Sequence, residues 1–133
     1  MLPFDKRKLK KPKPLKKECD ELWSEIIKKR AGYMSEISGM RGKQIGGKHI
    51  LNAHHVAKKP NNRLRYELEN GICLTSWEHK YGIHGSHEER YRGMIKIYKG
   101  QDIYERLSLL RNSKSDDLKM IKIYLEQELN KLK

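Results

Sequence analysis

Six histidines, at positions 49, 54, 55, 79, 84 and 87, are the only imidazoles in a chain of 133 residues, and all lie in its central part. An imidazole can hold a divalent ion through a neutral ring nitrogen, and it titrates close to neutral pH, so one residue type can serve as ligand or as base. A single histidine is more often a surface or core residue. Clustered as His54-His55, Asn70, His79, His84 and His87, they supply both functions. One chemistry that needs both is phosphodiester hydrolysis. It requires a deprotonated water, charge stabilisation on the phosphoryl oxygens, and help for the departing 3′ oxygen. Neighbouring residues on a strand point to opposite sides, so His54 and His55 can divide these roles, one toward an ion and the other toward water.

The surrounding sequence predicts the elements that would carry these side chains. Cys19, Leu22, Trp23, Ile26 and Ile27 recur at helical spacing, predicting a helix from about Glu18 to Arg30 with Trp23 in the core and Gly32 as its stop. The Gly-rich polar stretch Ser38 to Lys48 reads as a loop. His49 to Ala53 and Gly71 to Leu74 read as two strands around a polar turn at Lys58 to Arg63. Thr75 and Glu78 stand at capping-box spacing and open a helix that should stop near Gly82. Ser86 and Glu89 repeat that spacing before a helix through Lys99, with Tyr91, Met94, Ile95 and Tyr98 apolar and Gly100 at its end. A short helix is expected over Asp102 to Arg111. Ser115, with Asp116 and Asp117, should cap a last helix striped by Leu118, Ile121, Leu125, Leu129 and Leu132. Such a stripe is more often packing than a partner surface, although a terminal amphipathic helix could also form a homodimer. The expected fold is α+β and mainly helical: a ββα unit with flanking helices and a basic N-terminal arm. Residues 1–17 would be the flexible arm, 18–100 the core, and 101–133 a C-terminal helical extension.

The formal charge is +13, from 30 Lys and Arg against 17 Asp and Glu, a balance that attracts polyanions and makes nucleic acid the first partner to consider. Lys6 to Lys17 carries eight basic side chains and no acid. Such an arm can neutralise phosphates without a fixed shape. No run approaches the roughly 18 apolar residues of a spanning helix. The start MLPFDKRKLKK also lacks the apolar segment of a secretory signal, so the expected location is intracellular, in the cytoplasm of the host cell. Two cysteines, Cys19 and Cys73, cannot build a disulfide framework or a four-thiolate zinc site, and both are expected free, with Cys73 a small core residue.

Ala53-His54-His55-Val56, then Arg63-Leu64-Arg65-Tyr66, then Asn70-Gly71-Ile72-Cys73-Leu74 and His79, in this order and spacing, resemble the HNH ββα-metal nucleases. The chain looks most like the NinG (Rap) recombination-nuclease group and nearby bacteriophage HNH proteins. Leu22-Trp23-Ser24-Glu25-Ile26-Ile27 and Arg30-Ala31-Gly32 extend the similarity over about residues 20 to 92. The resemblance implies His54 and His79 as metal ligands, His55 as general base, and Asn70 as the residue holding the hairpin and base. Many HNH helices place the third ligand four residues after the second, but that position is Ile83. His84 and His87 are the candidates, with His87 favoured because it matches the histidine after a short loop in similar phage proteins. A second departure is the zinc knuckle: its cysteines would fall at Ser35, Ser38, Thr75 and Glu78, so no structural zinc is expected.

The implied activity is single-metal DNA endonuclease hydrolysis, on branched or recombining phage DNA, with Mg²⁺ or Mn²⁺ supporting activity and Zn²⁺ or Ni²⁺ also binding. Lys58, Lys59, Arg63 and Arg65, around the strand turn, are the candidate DNA contacts. Two other readings are a basic DNA-binding module whose HNH site no longer cleaves, and a structural protein that binds zinc.

Overall fold

A computed structural model describes residues 13–59, 61–113 and 117–133. The first helix, α1 (Leu15–Arg30), begins directly after Pro14, whose missing N–H and ring clash with the preceding turn are tolerated at a helix start but not in a helix interior. Leu15 to Lys17 of the expected arm are therefore helical, Lys13 and Pro14 directly precede the helix, and residues 1–12 lie outside the described residues. Cys19, Trp23, Ile26 and Ile27 form the buried face of α1.

Two antiparallel strands follow, β1 (Leu51–His55) and β2 (Gly71–Thr75), with His54 opposite Ile72 and His55 opposite Gly71. The first strand starts two residues later than the sequence predicts. His49 is held in an isolated bridge with Gly42, its N–H donating to the Arg41 carbonyl. A short helix, α2 (Asn62–Arg65), capped by the Asn61 side chain on the Leu64 N–H, lies between the strands.

Thr75 and Glu78 form the predicted capping box: the Thr75 N–H donates to Glu78 Oε1 at 2.8 Å, and the Glu78 N–H to Thr75 Oγ1 at 3.1 Å. The turns that follow are π-helical over Glu78–Ile83. The later helices are α3 (Glu88–Lys99), α4 (Gln101–Leu110) and α5 (Leu118–Lys131). The Ser86/Glu89 box does not form; His87 occupies the N-cap of α3 without a side-chain hydrogen bond. Asp117 caps α5 through the Lys119 N–H, while Ser115 and Asp116 lie outside the described residues. Among the described residues no helix is long and apolar enough to cross a membrane. Cys19 and Cys73 are both free and buried.

The hairpin separates two apolar clusters. Leu51 and Cys73 face one side, where they join Trp23, Ile26 and Ile27 of α1 and Ile121 and Leu125 of α5. Ile72 and Leu74 face the other side, with Val56, Ile83 and Ile95. The α5 stripe is thus used for packing within the chain, and the 101–133 extension shares a core with α1. Gly71 has to be glycine at this junction, since a Cβ would lie 2.3 Å from Ile27 Cδ1 and 2.8 Å from the Trp23 ring.

Candidate metal centre and adjoining base

Strand alternation sends Asn52 and His54 toward the π-helix and Ala53 and His55 toward α1. The rings bear this out. His54 lies 5.0 Å from His79 and 5.6 Å from His84 between centroids, whereas His55 stacks on Trp23 at 4.0 Å with only 5° between the planes.

The π-helix explains which histidine joins the first two. Residues five apart, not four, share a face in this geometry, and the His84 N–H reaches back to the His79 carbonyl at 3.2 Å. Ile83, four residues after His79, points into the second core and is fully buried. The wider π-turn thus puts a ligand-capable residue, His84, on the site. Nitrogens of His54, His79 and His84 all lie within 4.8 Å of one another. The Nε2 atoms of His79 and His84 are 3.2 Å apart, close to the separation of about 3.3 Å that two imidazoles adopt on one tetrahedral zinc. The donor set fits a borderline divalent ion such as Zn²⁺ or Ni²⁺. His87, the residue favoured from sequence, is not among these three. It starts α3 after the turn that follows the π-helix, and the alternative, His84, takes its place in the group.

On the opposite face His55 is fixed by two contacts. Trp23 covers its plane, and its Nε2 lies 2.9 Å from the Arg65 carbonyl. A carbonyl only accepts, so Nε2 carries the hydrogen and Nδ1 keeps the lone pair. Arg65 in turn makes two 2.7 Å hydrogen bonds to the Asp20 carboxylate, which also accepts from the Tyr66 hydroxyl at 2.9 Å. Asn70 is fully buried. Its Oδ1 accepts from the Ala57 N–H at 2.7 Å, and its Nδ2 donates to the Leu64 carbonyl at 3.0 Å and the Ala57 carbonyl at 3.3 Å. Asn70 therefore ties the segment leaving β1 to α2 and the start of β2.

Burial pushes His54 down to about 3, with the neighbouring His79 and His84 adding to the effect. Burial also pushes His55 down to about 4, partly opposed by the Arg65 carbonyl. His79 is lowered by burial and by His84. All three rings are neutral at pH 7, the form that a ligand or a base requires.

The histidines line an open cleft of about 950 Å³, into which Lys58, Lys59, Glu88 and Arg92 also face. A smaller cavity of about 250 Å³ adjoins it behind His54, lined by Arg92, Lys96 and Tyr104 with no carboxylate. Of the four predicted DNA contacts, Lys58 and Lys59 are exposed at the cleft. The Arg65 guanidinium is committed to Asp20, and Arg63 lines a separate cavity with Glu67, Glu69 and Arg106. Sequence reasoning missed Asp20, which lies far from the histidines in sequence, Arg92 on the helix that follows them, and the stacking role of Trp23. Asn52 was within reach of strand alternation, since it stands two residues before His54 on the same face.

No protein-family model, curated protein or solved structure matches this chain.

Proposed function

We propose that this chain is a divalent-metal-dependent endonuclease that hydrolyses DNA phosphodiester bonds, with His54, His79 and His84 holding one ion and His55 acting as general base. The observation that supports it is the convergence of three imidazoles on one face of β1 while a fourth is clamped on the other face of the same strand. When bound, the ion supplies Lewis-acid stabilisation of charge on the scissile phosphate and the leaving 3′ oxygen. His55 takes the proton of the attacking water on Nδ1, because its Nε2 hydrogen is engaged by the Arg65 carbonyl. Trp23 restricts ring rotation, and Asp20 fixes the loop carrying that carbonyl. A phosphodiester entering the cleft raises the His55 pKa toward neutrality, since an anion favours the imidazolium. Lys58, Lys59 and Arg92 supply cations to the phosphates on either side. Branched or recombining phage DNA remains the substrate class on the resemblance alone.

Plasmid nicking with Mg²⁺ or Mn²⁺ tests the proposal. The wild type should cut, and His55→Ala should lose about 10²- to 10⁴-fold in rate while still binding DNA. Salt-sensitive binding by the wild type without cutting, across both metals, would select the non-cleaving module instead.

A further inference from the structure

Asn52 precedes His54 by two residues on β1 and so faces the π-helix beside it. Its side-chain Nδ2 lies 3.2 Å from Nδ1 of His79, while Nε2 of the same ring lies 3.2 Å from Nε2 of His84. These contacts form a short relay with a defined direction. An amide N–H only donates, so Nδ1 of His79 accepts and the ring hydrogen sits on Nε2, donated in turn to the lone pair of His84 Nε2. This tautomer withdraws the two lone pairs that face each other across the site.

Holding an ion requires the other tautomer. For His79 to ligate through Nε2, its hydrogen must leave that atom and one must be taken up on Nδ1, with no change in net charge. The Nδ1 hydrogen then points at the Asn52 amide hydrogens across a nitrogen–nitrogen distance of 3.2 Å, a repulsive contact. Rotating the amide by half a turn relieves it, because Oδ1 then accepts from Nδ1–H. That is the outer-shell bond which orients metal-bound histidines.

We infer that Asn52 is a positioning residue with two settings: its amide nitrogen holds His79 in a non-ligating form when the site is free of metal, and its amide oxygen locks the ligating form when an ion is held. The inference rests only on the metal-holding part of the proposed function and is indifferent to whether the chain cuts DNA. Its chemical content is that Asn52 supports the bound ion, but less than a side chain offering only acceptors would, since binding must first break the relay.

The test uses the full chain and Zn²⁺ as the probe. In ¹⁵N spectra of metal-free wild type, His79 should carry its hydrogen on Nε2, and saturation with Zn²⁺ should move it to Nδ1. Asn52→Asp offers only acceptors, so it should place the hydrogen on Nδ1 before metal is added and tighten Zn²⁺ binding by about 10- to 100-fold in calorimetry. Asn52→Leu, which offers neither group, should weaken binding by about the same factor. Opposite signs for Asp and Leu are the signature, because a purely structural residue would lose affinity in both. Equal losses, a metal-free wild type already protonated on Nδ1, or a wild type that binds no Zn²⁺ would each overturn the inference. The wild-type spectra decide the matter even where a variant fails to fold.

Discussion

Acidifying the metal-free protein should destabilise it in a window set by the buried histidines. Both His54 and His55 are neutral when folded, with pKa values pushed down to about 3 and about 4. An unfolded chain takes up a proton on each near pH 6.5. Below that pH the unfolded state binds protons that the folded state refuses, so stability is full above about pH 6.5 and falls as pH drops toward the folded values. Each group costs at most about 1.4 kcal/mol per pH unit in this range. His54, with only 7% of its surface exposed, loses about 2 kcal/mol between pH 6.5 and 5. His55 sits on the wall of an open cleft and is better screened, so about 1 kcal/mol is assigned to it. The sum, about 3 kcal/mol, is a large part of the 5–15 kcal/mol that holds a typical domain together. Urea melts in a chelator at pH 7.5, 6.5, 6 and 5 measure it directly, and His54→Gln should remove about two thirds of the slope. Asp20 does not confuse the result. Burial raises its carboxyl, but bonds from Arg65 and Tyr66 win and hold it below its usual range, so its contribution is lost only in stronger acid. Unchanged stability from pH 7.5 to 5 would refute the burial argument for both rings.

Four further outcomes are expected. His84→Ala should weaken Zn²⁺ binding by more than 10-fold in calorimetry while His87→Ala stays within about twofold; the reverse order would show that the π-helical register does not choose the ligand. In a His55→Ala background, Arg92→Ala and Lys58→Ala should each reduce the slope of log affinity against log salt by about 0.9 for duplex DNA. Arg65→Ala should instead cost about 1–3 kcal/mol in melts by breaking its paired bonds to Asp20, and a change in salt slope without loss of stability would contradict that assignment. Zn²⁺ should bind more tightly than Mg²⁺, as a three-imidazole donor set demands, and at 100 times its Kd it should raise stability by about 2.7 kcal/mol; a stronger effect from Mg²⁺ would point to oxygen ligands.

The legible features of the sequence were those set by short-range rules. Alternation along β1 placed His54 and His55 on opposite faces, and the Thr75/Glu78 spacing set the helix start. The third member of the histidine group was not legible, because choosing a π-turn over an α-turn at Glu78–Ile83 depends on burying Ile83 against Leu74 and Ile95, partners outside the local sequence. The same holds for Arg65. Its basic neighbours made it look like a phosphate contact, but its partner Asp20 lies 45 residues earlier on another element. The Ser86/Glu89 box failed for a simpler reason: the turn after His84 starts α3 at Glu88, so His87 and not Ser86 is the cap.

Among the described residues a two-stranded sheet stands between two separate apolar clusters, and each would support a different half of the proposed chemistry. The α1–α5 side carries the platform for His55, and the π-helix–α3 side carries two of the three clustered rings. Damage on one side should therefore be felt selectively. A cavity cut beneath Ile95 would loosen the grip on the ion and spare the proton acceptor, and one cut beneath Leu125 would do the opposite. If the chain works as proposed, the thin partition would let metal preference and turnover be altered separately, like two instruments tuned on a shared frame.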